Sequence, residues 1–182
     1  MSLAPTLRVV SAGYEARCAR RAASGYSELW ALLDQVTDPE IPVLSLWDLG
    51  VLSKIEKVGD CVHVTITPTY SGCPAMRTMA DDIRAVLNEA GYLQVDIETS
   101  LSPAWTTDWL SPEGREKMQA YGIAPPCQGT SCTGASAAQA PANCPHCGSV
   151  NTRMISEFGS TACKALYQCN DCQEPFDYFK KI

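Results

Sequence analysis

The chain has 182 residues, ten cysteines, two histidines and a formal net charge of −6. That length allows one ordinary core and a small accessory module. The acidic balance argues against a phosphate-binding surface, so nucleic acid is not expected as a partner. No apolar run reaches the length of a membrane span, and the N-terminus lacks the apolar stretch of a secretory signal, so a cytoplasmic protein is expected.

Residues 1–26 carry Arg8, Arg17, Arg20 and Arg21 against the single acid Glu15. They read as a flexible, poorly ordered tail. Ser27 to Gln35 reads as a short helix with Leu29, Trp30, Leu33 and Val36 on one face. Pro39 and Pro42 forbid its continuation, and "TDPEIPVLSLWDLGVL" becomes a structured loop leading into a strand. Gly59-Asp60 marks the turn of a β-hairpin, whose second strand alternates Val62, Val64 and Ile66 with Cys61, His63 and Thr65. From Pro74 the period becomes helical through Met76, Met79, Ile83, Val86 and Leu87, and Gly91 is placed to end that helix. "LQVDIETSL" is a third strand. Pro112 to Tyr121 is a helix with proline at its first position, ended by Gly122. Residues 127–143, rich in Gly, Ser, Ala and Thr, read as a linker. Cys127 and Cys132 within it allow a C-x4-C metal or redox pair but read better as exposed spectators.

The last module, 144–182, holds the strongest motif. Cys144, Cys147, Cys169 and Cys172 form C-x2-C-x21-C-x2-C. Each pair turns two sulfurs toward one ion, and four thiolates satisfy a tetrahedral structural zinc. Iron in the same four-sulfur geometry remains open on spacing alone, and two disulfides fit a reducing compartment poorly. Gln173 stands where the first turn has Gly148. Three strand-like runs complete an all-β zinc ribbon that so few residues could not hold together without metal. Cys163 could substitute as a ligand but reads better as a buried strand cysteine, and His146 as a residue outside the ligand set. Basic and acidic residues balance in the ribbon, which favours protein docking or structural support.

One thiol stands apart. "TYSGCPAM" puts Cys73 at or near a helix N-terminus, where unpaired amides favour a thiolate, with Gly72 permitting close approach. A buried, inert cysteine is the competing reading. Asp38, Glu40 and Asp48 lie in the loop before the hairpin and could converge on the same end of the sheet. His63 alternates with buried valines and is expected on the solvent face, so a hydrolase triad has no support.

The blocks "DPEIPVLSLWDLGVL", "VHVTITPTYSGCPAM" and "WTTDWLSPEGREKMQAYGIAPP" resemble the MIP18 (DUF59) domain over residues 27–126. The resemblance implies a small α/β (α+β) fold, a mixed sheet with flanking helices, and a role in iron–sulfur cluster assembly in which Cys73 is the characteristic cysteine. With "EFGSTACKALYQC" and the ribbon, the whole is similar to the PaaD family. That family implies an accessory, not itself catalytic, component of the multicomponent monooxygenase that epoxidises phenylacetyl-CoA in phenylacetate catabolism. Its partners would be the oxygenase and reductase subunits or other iron–sulfur clients. On this reading Cys73 binds iron or a cluster edge transiently, with Asp38 and Glu40 as supporting acids. One cysteine cannot hold a cluster that needs four thiolates, so a homodimer, a client or a small thiol would supply the rest. The alternative is a non-catalytic adaptor that docks oxygenase subunits through the ribbon.

Overall fold

The computed structural model describes residues 10–127 and 142–182. The chain order of its elements is α1 (Ala12–Ala23), α2 (Ser27–Leu33), α3 (Leu46–Leu49), β1 (Leu52–Val58), β2 (Cys61–Ile66), α4 (Met76–Glu89), β3 (Gln94–Thr99), a 3-10 turn (Thr107–Trp109), α5 (Pro112–Tyr121), β4 (Ile123–Ala124), β5 (Thr152–Ser156), β6 (Lys164–Cys169) and β7 (Pro175–Phe179).

The period-2 pattern is realised as read. β1 and β2 form the antiparallel hairpin, and β2 pairs in parallel with β3 after the α4 crossover. The result is a mixed three-stranded sheet in the order β1-β2-β3. Val62, Val64 and Ile66 are fully buried under Met79, Ile83 and Leu87 of α4 and the apolar face of α2. The opposite face is polar: His63 is partly exposed and meets Asp96 at 3.2 Å. Ser111 caps α5 by accepting the Gly114 amide at 2.8 Å. Gly122, at φ 94°, ends that helix.

Two expectations fail, at the N-terminus and at Cys73. Residues 12–23 are a helix, capped by the Ser11 hydroxyl, not part of a loose tail. The cause is Arg17, which is 2% exposed. Its guanidinium donates to the carbonyls of Trp47 at 2.9 Å, Leu52 at 3.2 Å and Trp109, and lies 3.9 Å from the centre of the Trp47 ring. Burial lowers its pKa to about 10, so it stays charged at neutral pH. The second failure concerns α4, which begins at Met76 after an Ala75 cap. Cys73 therefore precedes the helix by a turn.

The ribbon sheet has the order β4-β7-β6-β5. Its strand β4 comes from the first module and pairs in parallel with β7. Phe179 and Cys163 belong to the main core, and the Phe179 ring lies 5.9 Å from that of Trp105. Ile182 O accepts hydrogen bonds from the Thr107 amide and the hydroxyls of Thr106 and Thr107 at 3.0–3.2 Å. The ribbon is thus docked on the α/β module. Of the proposed linker, residues 128–141, Cys132 included, lie outside the described residues. Cys127 is half-buried and disulfide-bonded, not an exposed spectator.

Candidate functional site

Two sites emerge. In the ribbon, the four cysteine sulfurs all lie within 4.8 Å of one another. Cys144 and Cys172 are separated by 3.7 Å and Cys147 and Cys169 by 3.6 Å, sulfur to sulfur. A tetrahedron with zinc–sulfur bonds of about 2.3 Å has edges of about 3.8 Å, so the donor set fits the ion. Separations this long exclude disulfides among these four. Turn chemistry places them: Gly148 has φ 77° and Gln173 φ 65°, the same left-handed conformation at the two equivalent positions. Gln173 tolerates it while its side-chain amide donates to Asn170 O at 2.5 Å. Neither His146, which is exposed, nor Cys163 joins this cluster.

The second site lies where the modules meet. Asp38 is held by its loop: its amide donates to Leu44 O, and its Oδ1 accepts the amides of Glu40 and Ile41 at 2.8 and 2.7 Å. The acidic residue before proline thus builds an Asx turn that fixes its own carboxylate. Cys73 sits in the β2–α4 loop, whose start is pinned by Thr67 N to Val51 O at 2.8 Å. Asp38, Glu40 and Cys73 line one small cavity together with Cys163, walled by Met76, Met79 and Phe179. Its volume is about 10 Å³.

All four acids are pushed toward their protonated forms. Burial raises Asp38 against the pull of the Ile41 and Glu40 amides. Burial and then the Asp38 charge raise Glu40. For Cys73, burial outweighs a hydrogen bond from the Ala75 amide, and Glu40, Asp38 and Cys163 add to the rise. Burial likewise raises Cys163, opposed by the Thr161 hydroxyl and Lys164. A depressed Cys73 pKa, expected from a helix end, is therefore not what its surroundings provide. Gly72 gives no close approach either: a Cβ there would meet only the Tyr70 ring, at 3.8 Å.

Asp48 does not join the cavity. Burial pushes its pKa up, but hydrogen bonds from Lys117 and Ser111 prevail and hold it below the usual carboxylate range. It ties α3 to α5. Sequence reasoning did not place Cys163 at this cavity, nor single out Lys164, its neighbour in the chain. Lys164 is buried, 3.7 Å from Asp177, and its charge reaches Asp38 and Glu40. No local pattern announces either; both arrive through the docking of the ribbon.

Fold and sites together define a thiol-and-carboxylate cavity on an α/β domain capped by a four-cysteine ribbon. Residues 27–97 match the model of an iron–sulfur cluster assembly protein, and residues 128–180 match the PaaD zinc beta ribbon domain. The chain is 51% identical over 157 residues, 85% of its length and 92% of the relative's, to an Escherichia coli (strain K12) protein named as a putative component of 1,2-phenylacetyl-CoA epoxidase. It is 36% identical to an Fe-S protein maturation auxiliary factor of Porphyromonas gingivalis, over 45% of this chain and 79% of that one. The solved structure of a DUF59 domain from Bacillus anthracis aligns with a TM-score of 0.48 at 21% identity, over 56% of this chain and 95% of that one. The chain belongs to the PaaD family, an iron–sulfur assembly domain joined to a zinc ribbon. Among the described residues no helix is long and apolar enough to cross a membrane.

Proposed function

We propose that the chain is a cytoplasmic accessory factor that assists maturation of an iron or iron–sulfur centre in a phenylacetyl-CoA epoxidase system, with Cys73 as the transient ligand of the cargo. The observation that carries this reading is the convergence of Cys73, Asp38 and Glu40 on one cavity, in a chain whose relatives include iron–sulfur maturation factors. The Cys73 thiol gives up its proton when a cation arrives, and the carboxyls supply hard oxygen donors beside a soft sulfur. Burial raises the Cys73 thiol's hold on its proton, so protons compete with the cargo and favour its release. Zinc in the ribbon has a structural role, since a closed four-thiolate set leaves no open position.

A second reading rests on a different observation. β5 is an edge strand, and Val150, Met154, Ile155 and Phe158 beside or within it are exposed. An apolar edge of this kind suits protein docking, the adaptor role. The experiment is Cys73→Ser in a host that also expresses the oxygenase. Iron content and epoxidation by the purified oxygenase should fall to the level seen without this chain. Full iron and activity in that background would leave only the adaptor.

A further inference from the structure

The cavity beside Cys73 is closed on one side by the ribbon. Asp38, Glu40, Cys73, Met76 and Met79 line it from the α/β domain, and Cys163 and Phe179 line it from the ribbon. Phe179 is fully buried and Cys163 is 5% exposed, whereas Cys73 is half-buried. The two ribbon residues belong to one rigid piece. Lys164, which follows Cys163, pairs with Phe179 across β6 and β7, and the Lys180 amide donates to Cys163 O at 3.0 Å. The volume of about 10 Å³ admits one water-sized occupant. While Phe179 is seated, neither a cluster nor a ligating side chain of a client fits into that space.

The join between the modules is weaker than either module. β4 and β7 share two residue pairs, Ile123 with Asp177 and Ala124 with Tyr178, whereas β6 and β7 share five and β2 and β3 six. Ile182 O adds its bonds from Thr106 and Thr107, and the Thr106 bond already lies at the exposed surface, where water can replace it. The Phe179 ring against Trp105 is the main apolar element of the join. Interfaces of this size between modules of one chain part more readily than the modules unfold.

Building on the maturation role, we propose that the ribbon is a gate: it parts from the α/β domain along the β4–β7 seam, withdraws Phe179 and Cys163 together, and presents Cys73 to cargo and client only in the parted form. Parting uncovers the rings of Phe179 and Trp105, so the closed form dominates in the free protein. A client that covers those rings with apolar surface shifts the population toward the open form, because it binds that form better. Access to the thiol is thereby tied to the presence of the acceptor.

The test uses the full chain, zinc-loaded and reduced, with alkylation by iodoacetamide read peptide by peptide by mass spectrometry. Cys18 and Cys61 are partly exposed, lie outside the cavity and serve as internal controls. In Phe179→Ala, Cys73 and Cys163 should both react about ten-fold faster or more than in wild type, and Phe179→Leu should fall between. Cys18, Cys61 and zinc content should stay unchanged. In the wild type, well below the urea unfolding transition, the rates at Cys73 and Cys163 should rise with one common slope, shallower than that of global unfolding. Unchanged Cys73 reactivity in Phe179→Ala, or a rise at Cys163 alone, overturns the gate. If Cys18 and Cys61 accelerate equally, the variant has unfolded as a whole and the wild-type slopes decide: separate slopes, or the slope of global unfolding for both thiols, overturn it. The maturation reading is scored separately by oxygenase iron. Loss of that iron in Cys73→Ser with no shared opening of the two thiols sinks the gate and keeps the role; full iron in Cys73→Ser sinks the role whatever the alkylation rates show.

Discussion

Replacing Arg17 with alanine should unlock α1 from the α/β domain. The guanidinium satisfies three main-chain carbonyls, those of Trp47, Leu52 and Trp109, and packs on the Trp47 ring. Hydrogen bonds from a charged donor contribute about 1.5–3 kcal/mol each. The cation–ring contact adds about 1–2 kcal/mol when desolvated. Against this stands the cost of burying the charge, several kcal/mol. The difference leaves a net loss of about 3 kcal/mol, a large share of the roughly 5–15 kcal/mol of a typical domain. At about 2–4 °C per kcal/mol for a chain of this size, the melting temperature should drop by about 6–12 °C. Urea unfolding followed by tryptophan fluorescence gives the free energy directly, because Trp30 and Trp47 lie beside α1. Arg17→Met, which keeps the apolar stem, should recover less than half of the loss. A change under about 1 kcal/mol for Arg17→Ala would show that the three carbonyls find other donors and that α1 is held by apolar contact alone.

Other outcomes follow from the same contacts. Asp48 is held below its unfolded pKa, so its stabilisation is present above pH 4 and lost as pH falls through the folded value. Lys117→Met should therefore cost about 1 kcal/mol at pH 7 by urea unfolding and progressively less as the pH is lowered below the unfolded carboxylate range. Asp38 has the opposite sign: its folded pKa is raised, so its ionised form weakens the fold at neutral pH. Asp38→Asn, which can keep both amide bonds, should be at least as stable as wild type at pH 7 in thermal scans, with the gain vanishing in acid. Phe179→Ala should cost about 3–5 kcal/mol, and limited proteolysis should then cut between the ribbon and the α/β domain. Stripping zinc with a strong chelator should melt the β5–β7 sheet, seen as lost amide protection in hydrogen exchange, and addition of zinc should restore it.

Much of this was legible in residue order. The hairpin at Gly59-Asp60, the buried alternation of Val62, Val64 and Ile66, the helix opening at Pro112 and the four-cysteine ribbon all rest on local periodicity or spacing, and all appear in the structure. What escaped depends on distant partners. Arg17 looked like one of four tail arginines because its acceptors lie 30 or more residues away along the chain. Cys73 reads from sequence as a helix-end thiol, but its ionisation is set by burial and by Glu40, Asp38 and Cys163, three groups from other segments. Asp48 could not be separated from Asp38 and Glu40 until Ser111 and Lys117 were seen to claim it.

β7 carries one further implication. Phe179 completes the core of a domain whose first buried residue among those described, Arg17, stands more than 150 positions earlier. A nascent chain released to residue 126 has every secondary element of the α/β unit and still presents Trp105 without the ring that covers it. Final closure of that interior must wait for synthesis to reach the C-terminal strand. Excising the ribbon therefore leaves an open interior in place of a smaller intact protein, and a truncated chain that aggregates would report that missing lid before it reported any lost activity.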